Sequence, residues 1–258
     1  MLAFFNYRQN AYSGRAAAGK AAGIRLPARL QAVAGMVPPG SRVADIGTDH
    51  AYLPLYLAGS GRCPRVIAVE AAPGPYRRAV AAVAAAGLQE RVEVRLGEGL
   101  APLQPGEVDT VTMAGLGALT QQGILEAGRE VRQELKRLIL QPQGEAGPLR
   151  RYLAATGWYL YNEDLVYEAG HYYIILAASQ GTSPTYSDLE WRIGPLLLQR
   201  RHPLLRDYLL HKMEKLTAAV RQLAAGRGER AKERLMDLSR QLEEIREVLA
   251  WLPGAEKS

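Results

Sequence analysis

An acidic residue two positions before a glycine is the first candidate for chemistry. Asp45 and Gly47 lie in the segment Val43–Tyr52, where a predicted strand turns sharply into a predicted helix. Glycine at such a turn lets a ligand approach the backbone, and helix N–H groups face that ligand. A dinucleotide site normally has G-x-G-x-x-G here, whereas this chain has Asp49 at the second glycine position. Because a carboxylate would repel a pyrophosphate, the motif disfavours an NAD dehydrogenase and favours a cationic ligand such as S-adenosylmethionine.

Two further acidic residues follow the next predicted strands. Glu70 ends the second strand, and a carboxylate at that place accepts hydrogen bonds from both ribose hydroxyls in nucleotide-binding α/β sheets. The alternative is a surface carboxylate at a strand end. Gly97–Leu100 follows the third strand, where an adenine ring would lie, so Glu98 or a backbone amide such as that of Gly99 would read the adenine amino group. Here the alternative is an ordinary loop acid.

The end of the fourth predicted strand is where the reacting group would be presented, beside the topological switch point. It reads Met113–Gly117. Enzymes that methylate exocyclic amines often have an Asn/Asp-Pro-Pro-aromatic turn here, and its absence disfavours that reaction. We expect a tight turn in which Gly115 and Gly117 leave room for a flat base, with Ala114 beside the cofactor. The alternative is a plain turn.

Elements that would position these residues follow from the hydrophobic pattern. Short β-branched runs alternate with longer alanine- and leucine-rich runs, which predicts βαβ units and a parallel sheet. Two strand-like runs without a helix between them then predict a terminal antiparallel hairpin. The predicted strands are Arg42–Ile46, Arg65–Val69, Arg91–Arg95, Asp109–Met113, Arg137–Leu140, Trp158–Val166 and His171–Ala178, and the helices are Pro27–Met36, Tyr52–Ala58, Pro75–Ala86, Leu119–Ala127 and Gly147–Thr156.

The last part of the chain has a helical pattern. Apolar residues recur at alternating spacings of three and four in Leu209–Leu223 and again in Leu235–Leu252, with Ala225–Gly228 between them. This pattern predicts an antiparallel coiled-coil hairpin in residues 184–252. Mutual burial of the two stripes is the simplest interpretation, and the many arginines would be a solvated flank, an RNA surface, or both.

Composition limits the class of protein. The chain has 258 residues, of which 48% are hydrophobic and 22% charged, so wholesale disorder is excluded. A single cysteine excludes an internal disulfide and a cysteine-built zinc site, and we expect no metal. No apolar run approaches the roughly 18 residues of a membrane span. We expect a cytoplasmic protein that is a monomer or a weak oligomer.

Positive charge is concentrated at the beginning of the chain. The formal net charge is +6, and the six basic residues before Asp45, where no acid occurs, account for all of it. Such a cationic end could attract the phosphates of a nucleic acid. The alternative for residues 1–23 is a disordered, solvated leader. We assign phosphate contacts to Arg25 and Arg29, which lie closest to the predicted α/β domain.

A set of motifs together resembles the TrmK family, bacterial tRNA (adenine-22 N1)-methyltransferases. The likeness extends from about Ile24 to Gln180 and, by architecture, into the helical hairpin. Three positions depart from the residues more common in the family: Glu98 and Gln143 stand where it has Asn, and Ala118 where it has Gly. The motifs are Arg25-Leu26, Val33-Ala34, Val43–Pro54, Gly97–Leu100, Met113–Gly117 and Leu138–Gln143.

The resemblance implies a Rossmann-like class I methyltransferase domain in residues 24–181, which transfers a methyl group from S-adenosylmethionine to N1 of an adenine in tRNA. Asp49 would stabilise the cationic product or hold the methionine ammonium, and the sequence does not separate these roles. His50 would be structural or would contact the ligand. A flipped base could stack on Tyr52, Tyr172 or Tyr173, each of which could equally be core.

Two other functions fit the same sequence. One is a methyltransferase acting on a small molecule or a protein, whose turnover would be insensitive to salt. The other is a non-catalytic RNA-binding or scaffolding protein, which the combination of Asp45, Gly47 and Glu70 argues against.

Overall fold

One seven-stranded sheet organises the molecule. The computed structural model describes residues 24–223 and 228–252, so the predicted extension 1–23 and most of the predicted glycine turn lie outside it. The strands, in chain order β1 to β7, are Val43–Ile46, Val66–Glu70, Val92–Leu96, Thr110–Gly117, Arg137–Gln143, Trp158–Glu168 and His171–Gln180. Their order across the sheet is β3-β2-β1-β4-β5-β7-β6; the pairs β5–β7 and β7–β6 are antiparallel, and the other pairs are parallel. The prediction of a parallel sheet closed by an antiparallel hairpin is confirmed.

Helices cover both faces of this sheet, which explains why most residues of its central strands are buried. Successive residues of β5 enter opposite cores: Ile139 joins one apolar cluster, whereas Leu138 and Leu140 join the other. The first face carries α1 to α3, which span Ala28–Met36, Tyr52–Gly59 and Pro73–Ala85. The second carries α4 to α6, which span Ala118–Ala127, Arg129–Glu134 and Gly147–Ala155. The helix α5 was not predicted.

The fourth strand departs from the prediction. It does not end at Met113 in a tight glycine turn, but continues to Gly117 and pairs with β5 as far as Gln143. The register shifts between Ala114 and Leu116, and Gly115 between them has a φ of +81°. A β-bulge at Gly115 therefore bends the strand without ending it, which a pattern of small residues cannot distinguish from a turn.

The hairpin of β6 and β7 is longer than predicted. Its strands run to Glu168 and from His171, so the connection is only Ala169 and Gly170. Both residues have positive φ, +49° and +82°, as a two-residue turn of type I′ requires. The turn lies at the edge of the sheet where β5 ends, because β7 runs antiparallel to β5.

In the part of the chain that the structure describes, four helices follow the sheet. Two short ones, α7 (Asp188–Ile193) and α8 (Pro195–Gln199), precede the long helices α9 (Leu205–Leu223) and α10 (Glu229–Trp251). The short helices were not predicted, although Ser187 and Glu190 form a capping box at the start of α7, a signal the sequence contains.

The helical hairpin is seated on the α/β domain. Its two helices pack against each other as predicted, and both also bury apolar residues against the α/β domain. Leu205 and Leu209 of α9, and Ile245, Val248 and Leu252 at the end of α10, belong to the same apolar cluster as the second face of the sheet. The two predicted domains therefore share a core. In the ranges described, no helix is long and apolar enough to cross a membrane.

Candidate active site

The loop after β1 has a tightly constrained backbone. Gly47 has a φ of +74°, and its N–H donates to the carbonyl of Val69 at 2.9 Å. A Cβ at this position would lie 3.3 Å from Cδ2 of Leu116 at the end of β4. Asp49 and Ala51 also have positive φ, +48° and +56°. This crossover lies at the switch point, because β1 is flanked by β2 on one side and β4 on the other.

Asp45 is a buried carboxyl at the end of β1. It is 5% exposed, and its Oδ1 accepts a hydrogen bond from the hydroxyl of Thr112 at 2.6 Å. Burial raises the pKa of Asp45 from 3.8 to about 6, although the Thr112 hydrogen bond acts in the opposite direction. The hydroxyl of Thr48 is also buried, and it lowers the pKa of Asp45 in the same way as the Thr112 hydroxyl. A cation bound here would favour the ionised form of Asp45.

Glu70 connects the ends of β2 and β1. Its Oε2 accepts from the backbone N–H of Asp49 at 3.0 Å, and its Oε1 accepts from that of Ala72 at 3.1 Å. Each carboxylate oxygen can accept a second hydrogen bond. Glu70 therefore holds the loop in place and keeps acceptor capacity for a ligand.

Asp49 has partners that the sequence did not indicate. Its Oδ1 accepts from Nη2 of Arg78 on α3 at 2.8 Å, and its Oδ2 lies 3.6 Å from Nε2 of His50. The side chain of Asp49 is 56% exposed. The ring of His50 stacks on Tyr52, with the ring centroids 5.4 Å apart. The charge of Asp49 thus faces a cation of the protein at the rim of the site.

The loop after β3 reaches the same edge. The N–H of Gly97 donates to the carbonyl of Glu70 at 2.9 Å. A Cβ on Gly97 would lie 2.4 Å from Cγ of Pro102, and one on Gly99 would lie 3.0 Å from Cγ2 of Ile124. Both glycines are required by close packing, and Glu98 between them is exposed.

Arg29 lies beside the bulge in β4. Its Nη1 donates to Oε1 of Gln141 at 3.2 Å, and its guanidinium lies 5.7 Å from the ring centroid of Tyr173. The same nitrogen is 3.8 Å from where a Cβ on Gly115 would be. The sequence predicted a phosphate contact for Arg29, and the structure places its half-buried side chain at the carboxyl edge of the sheet. Arg25, by contrast, is exposed.

Two buried glutamines support this edge and were not predicted. Nε2 of Gln121 donates to the carbonyls of Leu116 and Gln141, which joins the ends of β4 and β5. Nε2 of Gln141 donates to the carbonyl of Pro142. The signal in the sequence was Gln141 itself, a polar residue inside the otherwise apolar segment Leu138–Pro142. Gly117 ends β4 as the N-cap of α4, and Ala114 is half-buried one residue before the bulge.

The three tyrosines predicted to stack on a base are separated in the structure. Tyr52 is 50% exposed at the start of α2, beside His50. Tyr173 lies under Arg29, and Tyr172 on the opposite face packs against Tyr208 of α9. Only Tyr52 has a largely exposed ring next to the loop after β1. Within residues 24–223 and 228–252, no group of three or more His, Cys, Asp or Glu is arranged to hold a metal ion.

A parallel sheet of this order, with carboxylates ending β1 and β2 and a glycine loop after β3, defines a Rossmann-like class I methyltransferase. The family model described as TrmK, tRNA (adenine(22)-N(1))-methyltransferase, matches residues 43–247. A Bacillus subtilis tRNA (adenine(22)-N(1))-methyltransferase is 32% identical over 232 residues, which cover 88% of this chain and 98% of that protein. The chain belongs to the TrmK family.

Solved structures agree with this assignment. The crystal structure of TrmK from Bacillus subtilis superposes with a TM-score of 0.80 at 32% identity, covering 88% of this chain and 99% of that one. A Streptococcus pneumoniae protein, described as a candidate tRNA (m1A22) methyltransferase and solved with S-adenosyl-L-methionine, has a TM-score of 0.79 at 34% identity. That match covers 87% of this chain and 100% of the other.

Proposed function

We propose that this chain transfers the methyl group of S-adenosylmethionine to N1 of an adenine in tRNA, at the position that the family description gives, adenine 22. The observation that carries the proposal is the edge formed by Asp45, Gly47 and Glu70 beside the bulge at Gly115. As a member of the TrmK family, the chain is an S-adenosylmethionine-dependent enzyme. Because tRNA is the proposed substrate, we propose a cytoplasmic location for the enzyme.

The residues at this edge fit S-adenosylmethionine. Glu70 would accept the ribose hydroxyls, and the loop Gly97–Gly99, with Ala114 opposite, would enclose the adenine, whose amino group Glu98 or a backbone amide would read. Asp45 and the buried Thr48 hydroxyl would supply polar groups for the cationic end. Bound S-adenosylmethionine supplies an electrophilic methyl group on a sulfonium.

The chain's contribution to the reaction would be orientation. Neutral adenine N1 carries a lone pair and no proton, so no general base is required. Alignment of two reacting groups alone can lower a barrier by several kcal/mol. The bulge at Gly115 and the strand end at Gly117 present backbone without side chains, and a flat base would lie against them. Tyr52, half-exposed at the rim, would stack on that base.

Asp49 has the charge that the cationic product requires. Its carboxylate lies at the rim and would stabilise the charge developing on the adenine, or would hold the methionine ammonium. His50 contacts Asp49 and Tyr52, and so would orient both. Arg78 neutralises part of the charge of Asp49, and a cationic ligand would compete with it.

Phosphate contacts would begin at the same edge. Arg29 would meet the phosphate of the inserted nucleotide, since Gln141 and Tyr173 hold its guanidinium beside Gly115. Arg25 is exposed just before α1. The arginines of the helical hairpin would bind further along the tRNA. Deleting the hairpin is a poor test of this role, because the deletion would also remove Leu205 and Leu209 from the shared core.

The direct test is mass spectrometry of nucleosides from unmodified tRNA incubated with the enzyme and S-adenosylmethionine. We expect N1-methyladenosine from tRNA with adenine at position 22, and none when that base is guanine. A Glu70→Gln variant should methylate tRNA much more slowly at limiting S-adenosylmethionine, whereas Glu90→Gln, which changes an exposed acid before β3, should behave as wild type. Methylation of a free metabolite instead of tRNA would overturn the proposal.

A further inference from the structure

Four aromatic side chains form a cluster between the β6–β7 hairpin and α9. Tyr167 and Tyr172 pair across the two strands, with ring centroids 4.7 Å apart. The ring of Tyr172 lies 5.6 Å from that of Tyr208 and 5.5 Å from that of His211. We call these four residues the tyrosine shelf.

The shelf lies at the same edge of the sheet as the candidate active site. β7 is antiparallel to β5 and pairs Leu176 with Leu140, so its first residues stand beside the carboxyl end of β5. The neighbouring residue Tyr173 points to the other face and contacts Arg29. The shelf therefore lies on the face of β7 opposite Tyr173 and Arg29, where the β6–β7 hairpin meets α9.

The outer ring of the shelf is open. Tyr167 is 53% exposed, although its inner neighbour Tyr172 packs against the main core. Core packing explains Tyr172 and Tyr208 but not the exposed ring of Tyr167, which rests on Tyr172 alone among the aromatic contacts of the described residues. An exposed ring that packs on a second ring can stack against a nucleic-acid base.

Charges around the shelf favour a base over a phosphate on the rings themselves. Burial and then the negative charge of Asp207 raise the pKa of Tyr172, so a carboxylate lies near these rings. Glu168 is also near, but both of its oxygens accept from the N–H groups of Ala28 and Arg29. The exposed Lys215 lies one helical turn beyond His211 and can take a neighbouring phosphate. Aromatic faces beside a cation are the combination that holds single-stranded nucleotides.

We propose that the tyrosine shelf stacks an unpaired base of the tRNA substrate, distinct from the adenine that is methylated. The inference rests on the proposed function, because it takes tRNA as the partner. Stacking on a ring is tolerant of sequence, so the shelf would contribute affinity and fix the position of the RNA between the site and the helical hairpin.

The test measures tRNA binding by the full chain as a function of salt. Tyr167→Ala and Tyr167→Leu should each weaken binding about tenfold, the scale of one base–aromatic stack, while Tyr167→Phe binds as wild type. The slope of log Kd against log salt should not change, because no phosphate contact is lost. Tyr159→Phe and Tyr159→Leu, at the opposite end of β6, are the matched controls and should bind as wild type.

The outcomes separate the shelf from the proposed function. Equal weakening by Tyr167→Phe would assign the effect to the hydroxyl, and a smaller salt slope would assign it to a phosphate contact. Either result would contradict base stacking on the shelf. Wild-type binding by Tyr167→Leu would also contradict it. Affinity for S-adenosylmethionine should be unchanged in every variant, which shows that each is folded. If the wild-type chain neither binds nor methylates tRNA, the proposed function itself fails.

Discussion

Arg150 and Glu163 form a fully buried ion pair, with Nε of the arginine donating to Oε1 of the glutamate at 2.6 Å. The remaining donors of Arg150 bind the carbonyls of Trp191, Arg192 and Ile193 at the end of α7. Oε2 of Glu163 accepts from the N–H of Leu196 at the start of α8, at 2.8 Å. The guanidinium of Arg150 thus lies at the C-terminal, negative end of α7, and the carboxylate of Glu163 lies at the N-terminal, positive end of α8. This pair fixes the connection between the sheet and the helical hairpin.

Breaking this pair should destabilise the protein. Glu163→Gln leaves the guanidinium of Arg150 buried without a counter-charge, and we expect the free energy of unfolding to fall by about 3 kcal/mol. Urea denaturation measures the change. Glu243→Gln removes the exposed partner of Arg246 and should cost no more than about 0.5 kcal/mol. Equal midpoints for the two variants would contradict the role assigned to the buried pair.

Asp45 should make the ligand-free protein less stable as pH rises. Its folded pKa of about 6 is above the ordinary 3.8, so the unfolded chain loses this proton first and the free energy of unfolding falls between about pH 4 and 6. Asp45→Asn should remove this dependence and stabilise the ligand-free protein at pH 7 by about 3 kcal/mol. Thermal unfolding across this pH range checks it, and an unchanged profile in Asp45→Asn would be the contrary result.

Steady-state kinetics can separate the two roles of Asp49. If Asp49 holds the methionine ammonium, Asp49→Asn should raise KM for S-adenosylmethionine; if it stabilises the product cation, kcat should fall with KM unchanged. One of the two changes should reach about tenfold, the effect of a lost charge-assisted hydrogen bond. The comparison variant is Arg78→Ala, which removes the ion-pair partner of Asp49 but leaves the Asp49 carboxylate in place. Wild-type kinetics in Asp49→Asn would exclude both roles.

Packing around Gly97 predicts a specific loss of cofactor affinity. A methyl group on this residue would lie 2.4 Å from Pro102, so Gly97→Ala must displace the loop beside Glu70. Affinity for S-adenosylmethionine should fall at least tenfold, by calorimetry, because a displaced loop loses its contacts with the ligand. Gly87→Ala introduces a side chain at a φ of +66° with nothing within 4 Å, so it tests backbone strain without the clash. Similar affinity in the two variants would mean that the loop does not contact the cofactor.

The sheet and its site loops could be predicted because periodicity and strand-end residues are local signals. Asp45, Gly47 and Glu70 stand at the strand ends where parallel-sheet topology brings them to one edge. The bulge at Gly115 could not be predicted, because it depends on pairing with β5, which the sequence of β4 alone does not encode. The same holds for the Asp49–Arg78 pair, whose partners belong to different βα units.

Isothermal titration of S-adenosylmethionine into the wild type, Glu70→Ala and the control Glu90→Ala tests the central claim most directly. The loss of two charge-assisted hydrogen bonds to the ribose corresponds to about 3 kcal/mol, or roughly a hundredfold in Kd. We predict a roughly hundredfold weaker affinity for Glu70→Ala and wild-type affinity for Glu90→Ala. Wild-type affinity in Glu70→Ala would contradict the assignment of this edge as the cofactor site.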